Sequence, residues 1–411
     1  MTAGGGTEAP AAKARPAALA FIAVTVVLDN LAMWMIMPVL PRLLGTLQHG
    51  GAGRTALFYG AFLTVFAVMQ FVAAPIQGAL SDRFGRRPIV LASNLGLGLD
   101  YVVMALAPTV WWLFAGRLIS GVAAGSGPAA SAYLADVTPP EKRAASFGLI
   151  MAAQAVGAAI GPALGGLVSA IDLRAPFWAS AALSLANLAY GAFVLPESLP
   201  KSARAPLKFT HLNPLGALVW LLRAHPRLAA LVVVAFLLSF ASQGANGVVV
   251  LYATDRYRWT PAAIGILMTA FAVMTLVVQG GLVSIAAKRF GELGSMLGGL
   301  GLNVAGLAAF AFATRGWQFA ALMPVVAVGS IAAPMMGSIF SKAVAADEQG
   351  RLQGAWSSVN GLMGFVAPAA FTAIFARSLG FGAAWSGAAF VFAAALIALS
   401  IPIAARAPKA G

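Results

Sequence analysis

Asp29, Asp100 and Arg117 each stand inside a long apolar run, in a chain of 411 residues of which only 9% are charged. Moving an ionised side chain into a bilayer costs several kcal/mol or more, so such groups pair with one another and mark an ion or substrate route. At about 1.5 Å per helical residue, Asp29 lies roughly 13 Å from the nearer end of its run, and Asp100 and Arg117 roughly 10 Å from theirs. The three therefore share one depth. An aspartate beside an arginine stays ionised, whereas one buried alone takes up a proton. A carboxylate that alternates between those settings can carry a proton. The expected exchange is between Asp29 and Arg117, with Asp100 as the second candidate; a static structural ion pair is the alternative.

A second cluster lies in a short basic break, Gly78-Ala-Leu-Ser-Asp82-Arg83-Phe-Gly85-Arg86-Arg87. Gly85 permits a tight turn. Asp82 can accept hydrogen bonds from the arginines or from a helix N-terminus of another part of the chain. A latch at one membrane face is expected, against the plainer reading of a loop that only fixes topology. Gly116, Gly121 and Gly125 flank Arg117, and small residues let helices approach closely. Gly157, Gly161 and Gly165 share one helical face, next to Gly166, while Pro162 interrupts the backbone ladder and permits a bend.

The elements that must hold these groups are membrane helices. The chain is 60% hydrophobic, its mean hydropathy is +0.88, and 45 Gly and 23 Pro are spread through the apolar runs. That pattern belongs to a polytopic helical membrane protein; barrel strands would alternate in polarity over about ten residues. With about twenty apolar residues needed per crossing, the sequence predicts an all-α protein of twelve spans in two six-helix bundles. They fall near 17–38, 57–80, 88–107, 110–135, 146–169 and 176–195, then near 228–252, 262–286, 293–313, 317–341, 353–376 and 382–404. Residues 1–16 read as a disordered tail, 17–195 as the first bundle, 196–227 as a polar linker, 228–404 as the second bundle and 405–411 as a second tail. The first apolar run is too long for a cleavable signal.

Eighteen Lys and Arg fall in the tails, the linker and the breaks on the same side as residues 83–87, and seven on the other side. This asymmetry predicts both termini inside, and it accounts for the net charge of +14 without a nucleic-acid partner. Without cysteine there is no disulfide or thiolate metal site. His49, His211 and His225 are dispersed and suggest no metal. No G-x-x-x-x-G-K-[ST] loop is present, so no cofactor is expected, and a proton gradient is the expected energy source. No enzyme motif is found.

The 78–87 loop resembles the signature of the major facilitator superfamily, and Arg117 with its small neighbours resembles a second motif of that family. The resemblance makes Asp136 the partner of the loop arginines. The Gly157–Gly166 pattern resembles the motif of the antiporter branches. Across nearly the whole chain the match is to the tetracycline-resistance efflux transporters and related drug:proton antiporters. It is carried by Leu28-Asp29, Ile36 to Pro41, Gln70, Asp82 to Pro88, Leu99 to Tyr101, Arg117 to Gly121, Ala135-Asp136, Gln243, Gln279, Gly329 and Gln353-Gly354. Asn303 stands where that family has an aspartate, Thr275 where some members have a histidine, and Ala32 and Trp34 replace family glycines. These departures leave no ionisable group in the second half's membrane core, and they count against tetracycline itself as cargo.

The resemblance implies proton-coupled efflux of a small amphipathic or hydrophobic, drug-like compound by alternating access, in a monomer of the bacterial inner membrane. Proton-coupled uptake by the same fold is the alternative, and a transport-inactive membrane sensor is the reading from another class. Trp34, Gln70, Gln243, Asn246, Gln279, Asn303 and Asn360 are the candidate substrate contacts, each equally readable as helix packing.

Overall fold

The computed structural model describes residues 11–124, 126–205, 215–382 and 385–406. Expectations that concern residues 1–10, Gly125, Lys208, His211 and Lys409 fall outside these. The first half contains α1 (Ala11–Met35), α2 (Leu40–Gln48), α3 (Ala52–Phe84), α4 (Arg86–Leu106), α5 (Val110–Ala123), α6 (Ser126–Val137), α7 (Arg143–Val168) and α8 (Ala175–Val194). A short α9 (Gly216–Ala224) precedes the second half, which contains α10 (Ala229–Arg256), α11 (Pro261–Val277), α12 (Val283–Phe312), α13 (Gly316–Gly329), α14 (Ala332–Lys342), α15 (Gln349–Leu379) and α16 (Ala388–Ala405).

Among the described residues, fifteen of the sixteen helices, all but α9, make twelve spans because several crossings are broken. The first bends by 44° between α1 and α2, where Pro38 cannot continue a helical ladder. The fourth is α5 plus α6, and the tenth is α13 plus α14. The eighth and ninth run on as one apolar segment, Pro261–Phe312, that turns at Gly291 with φ 69°. A π-helical turn, Val278–Leu282, interrupts the eighth. Helix α1 starts at Ala11, ahead of the apolar run that begins near Ala17.

Within the first half α1 packs on α7 and α4 on α8; within the second, α10 and α12 pack on α16. The halves join through two crossings, α3 on α15 and α7 on α11. The end of the molecule carrying residues 82–87 is called here the basic end, and the other the opposite end. At the opposite end of the second half, Tyr252, Phe310, Phe319 and Phe390 form one buried aromatic cluster, with the Phe310 and Phe319 rings 4.3 Å apart.

Candidate functional site

Arg117 finds its ion-pair partner in Asp100: Nη2 donates to Oδ2 at 2.6 Å, and both side chains are almost wholly buried. The guanidinium also lies over the rings of Phe62 and Phe66, at 4.9 and 5.1 Å. Gly116 makes the pair possible, because a Cβ there would lie 2.3 Å from Asp100 Oδ1. The ion pair of Arg117 is thus made with Asp100, the second of the two candidates. Antiparallel neighbours α4 and α5, joined by the short turn at 107–109, bring Asp100 to the arginine.

Asp29 is held from another side. Asn187 on α8 donates from Nδ2 to Asp29 Oδ1 at 3.1 Å, and Thr25 Oγ1 donates to Asn187 Oδ1 at 3.0 Å. Asn187 and Thr25 are fully buried, whereas Asp29 is only half-buried. Sequence reading missed Asn187, although an amide inside an apolar span is the same signal that singled out Asn303.

The glycine stripe of α7 sets the position of α1. A Cβ at Gly157 would meet Val27 O at 2.6 Å and one at Gly161 would meet Leu31 O at 2.9 Å, while at Gly165 it would overlap the Met35 carbonyl. Pro162 and Gly166 serve the crossing between the halves. A Cβ at Gly166 would lie 2.4 Å from Pro261 O, Gly265 faces Pro162 O, and Ala163 N donates to Thr269 Oγ1 at 3.2 Å. At the other crossing Gly60 abuts Thr372 and Gly53 abuts Ala376. These backbone contacts all lie toward the opposite end, so the halves are sealed there.

A cavity of about 510 Å³ lies between the halves, walled mainly by α10, α11, α12 and α13–α14 and closed on one side by Trp34, Ala155, Ala158 and Pro162. Of the candidate contacts, Trp34, Asn246, Gln279 and Asn303 line it. Gln279 sits in the π-helical turn. Asn303 Nδ2 donates to Gly329 O at 2.9 Å, a carbonyl at the break between α13 and α14. Gln243, Asn360 and Gln70 are not in the wall. Gln243 Nε2 donates to Asn360 O at 2.9 Å and Ser239 Oγ to Asn360 Oδ1 at 3.2 Å, which ties α10 to α15. Gln70 is half-buried on α3. Ser242, Thr275 and Ser330 are cavity groups that were not expected. Ser330 directly follows Gly329 where the span breaks, a signal readable in hindsight.

At the basic end, Gly85 turns with φ 109°, a conformation that side chains disfavour. Arg86 bridges Asp82 and Asp136, with Nε 3.1 Å from Asp136 Oδ2. Burial pulls the Arg86 guanidinium down, but the hydrogen bonds and charges of the two aspartates more than reverse this and hold it above its ordinary value. Glu197 from the following segment accepts from Arg86 N at 2.8 Å, and Ser198 Oγ donates to Asp136 Oδ2 at 3.0 Å. Arg87 Nη2 donates to Ala192 O at 2.6 Å, Arg83 is exposed over the Phe84 ring, and nothing crowds Gly78. Among the described residues the ion pairs of this cluster stay within the first half and its adjoining segment, and Asp82 takes the expected loop-arginine partner in Arg86. The second half repeats the turn 206 positions later with charges inverted. There Gly291 corresponds to Gly85, Glu292 to Arg86 and Lys342 to Asp136, with Lys342 Nζ 2.9 Å from Glu292 Oε1.

The Major Facilitator Superfamily model matches residues 22–368. The chain belongs to this superfamily. Among curated relatives, the class C tetracycline resistance protein of Escherichia coli is 39% identical over 95% of this chain and 96% of its own. The class G protein of Vibrio anguillarum is 36% identical over 94% and 97%. Of solved structures, that of the human organic anion transporter MFSD10 (TETRAN) covers 95% of this chain and 99% of its own with a TM-score of 0.68 at 22% identity, a likeness of fold. As in any transporter of this superfamily, the two sealed crossings and the cavity between them are parts of a machine that opens to one side at a time.

Proposed function

We propose that this protein exports a small amphipathic or apolar, drug-like compound in exchange for protons. Its tetracycline-resistance relatives support export as the direction, and they make antibiotic resistance the physiological setting. The observation that carries the coupling is the half-buried carboxylate of Asp29. It lies on the same helix as Trp34, and Trp34 forms part of the cavity wall. Arg117 is already neutralised by Asp100. The Asn187 amide, which donates to Asp29 Oδ1, is a group that stabilises the deprotonated carboxylate.

The excess of Lys and Arg puts the basic end in the cytoplasm. With the opposite end sealed, the described conformation is then closed to the outside. Both termini are cytoplasmic, and the protein is a monomer in the bacterial inner membrane. Cargo enters the cavity from the cytoplasm or inner leaflet, and Asp29 is deprotonated when it does so. The halves then part at the Gly53–Ala376 and Gly166–Pro261 contacts, while the loop at 82–87 closes the cytoplasmic side. Asp29 takes a proton from outside as cargo leaves, and return to the present state releases that proton inward. No cofactor or catalytic step enters the cycle.

The test is Asp29→Asn in proteoliposomes with an imposed pH gradient. Gradient-driven transport is expected to fall to background while substrate exchange without a gradient persists; unimpaired gradient-driven transport overturns the role. Direction is read in cells: deletion should raise the accumulation of a transported compound, and lowered accumulation would mean uptake.

A further inference from the structure

We infer that the cavity takes its cargo in uncharged form. The substrate class is a neutral amphipathic molecule of drug size carrying several hydroxyl, carbonyl or amide groups, not an organic cation, an anion or a metal chelate. The direction of movement rests on the export reading above; the chemistry of the cargo rests on the cavity alone.

Among the described residues, none of the side chains that line the cavity is ionisable. An ion brought into such a place loses its hydration and needs a counter-charge in return. The face of Trp34 or Phe271 supplies far less than a carboxylate would. Of the two acids inside the apolar spans of the first half, Asp100 pairs with Arg117 and Asp29 accepts from Asn187, and neither belongs to the wall.

The wall does offer neutral polar groups. Thr275 Oγ1 and Ser330 Oγ are buried and make no hydrogen bond within the protein. Buried hydroxyls without partners are rare in native structures; both residues stand in the cavity wall, so a rotation of either side chain is what would bring its hydroxyl to a cargo group. Gln279 and Asn246 lie exposed within the same space. Two hydroxyls and two carboxamides can each donate and accept, which suits alcohols, carbonyls and amides. The remaining surface is apolar, with Leu267, Met268 and Phe271 among it. A volume of about 510 Å³ falls within the range of pockets that hold one drug-sized ligand.

The experiment measures equilibrium binding to the full chain in lipid nanodiscs. The probes are chloramphenicol as the uncharged compound, ethidium as a permanent cation, benzylpenicillin as an anion and tetracycline with Mg²⁺ as a chelate. Chloramphenicol should bind at least tenfold more tightly than each of the others. Thr275→Val and Ser330→Ala should each weaken it several-fold without lowering the melting temperature of the empty protein, since the lost hydroxyls have no partner there. Ser242→Asp, which sets a charge into the wall, should strengthen ethidium binding at least tenfold. A charged probe that binds wild-type protein as tightly as chloramphenicol, or no binding of chloramphenicol, overturns the inference. If chloramphenicol binds as expected but a pH gradient does not drive it, the export reading fails and the neutral cavity stands. If a charged probe binds best and is driven out by the gradient, the reverse holds.

Discussion

A covalent bond across the sealed end should stop the transport cycle. A Cβ built at Gly53 lies 4.0 Å from the Cβ of Ala376, across the crossing of α3 and α15. Disulfides span Cβ separations of about 3.5–4.5 Å and do not form once the Cα atoms are more than about 7 Å apart. The pair Gly53→Cys with Ala376→Cys therefore fits the present state without backbone movement. An opening of the opposite end by only a few ångströms is incompatible with the bond. The chain has no native cysteine, so no competing pairing arises. Mild oxidation of the double variant should cross-link it in membranes, and a thiol-reactive polymer that shifts gel mobility measures the cross-linked fraction. Gradient-driven transport in proteoliposomes should fall in proportion to that fraction, extrapolate to zero at full cross-linking, and return on reduction. Undiminished turnover in a fully cross-linked sample would refute alternating access through this contact. Failure to cross-link at all would refute the geometry of the sealed end.

Removing one partner of the buried pair, as in Asp100→Asn, should destabilise the protein by about 3–5 kcal/mol, whereas the paired change Asp100→Leu with Arg117→Met should recover most of that loss; denaturant titration in mixed micelles measures both. Gly165→Ala, whose Cβ would overlap the Met35 carbonyl, should cost about 1–3 kcal/mol or more through overpacking. On the same helix Gly148→Ala, which meets nothing, should be neutral or stabilise by up to about 1 kcal/mol; equal melting temperatures for the two would refute the packing. The Ser338 hydroxyl first, then Lys342, holds the Glu292 carboxyl below its ordinary range. Its contribution to stability is thus complete above the range where an unfolded glutamate titrates, and it is lost as the pH falls through the lower folded value. A melting profile against pH should lose part of its acid limb in Glu292→Gln, and an unchanged profile would count against the link.

The spans were legible because apolar runs of about twenty residues have one physical meaning in a chain so poor in charge. Their breaks were less so. Pro38 announces the first, but the break after Gly329 and the π-helical turn at 278–282 arise from packing that periodicity does not encode. Depth arithmetic put Asp29, Asp100 and Arg117 at one level, yet depth says nothing of azimuth. The short turn between α4 and α5 and the space at Gly116 decided which acid meets the arginine. Amides were the hardest to assign. Gln243 and Asn360 bind helices to each other, while Gln279 and Asn246 face the cavity, and no local pattern separates the two pairs. The site chemistry of the loop at 82–87 was readable in its residue types, but the role of Glu197, more than a hundred positions away, was not.

Three carbonyls of α1, at Val27, Leu31 and Met35, rest against glycines of α7 with no side chain between them. Two rods in such contact have no compressible layer and must travel together. Asp29 lies between the first two of these weld points, and Trp34 is five residues further along the rod, about 7.5 Å of helical rise. Loading or unloading a hydrogen ion at one is then felt at the other through rigid backbone, and this helix pair needs no relay of intervening side chains to convert a protonation event into a change of cavity shape.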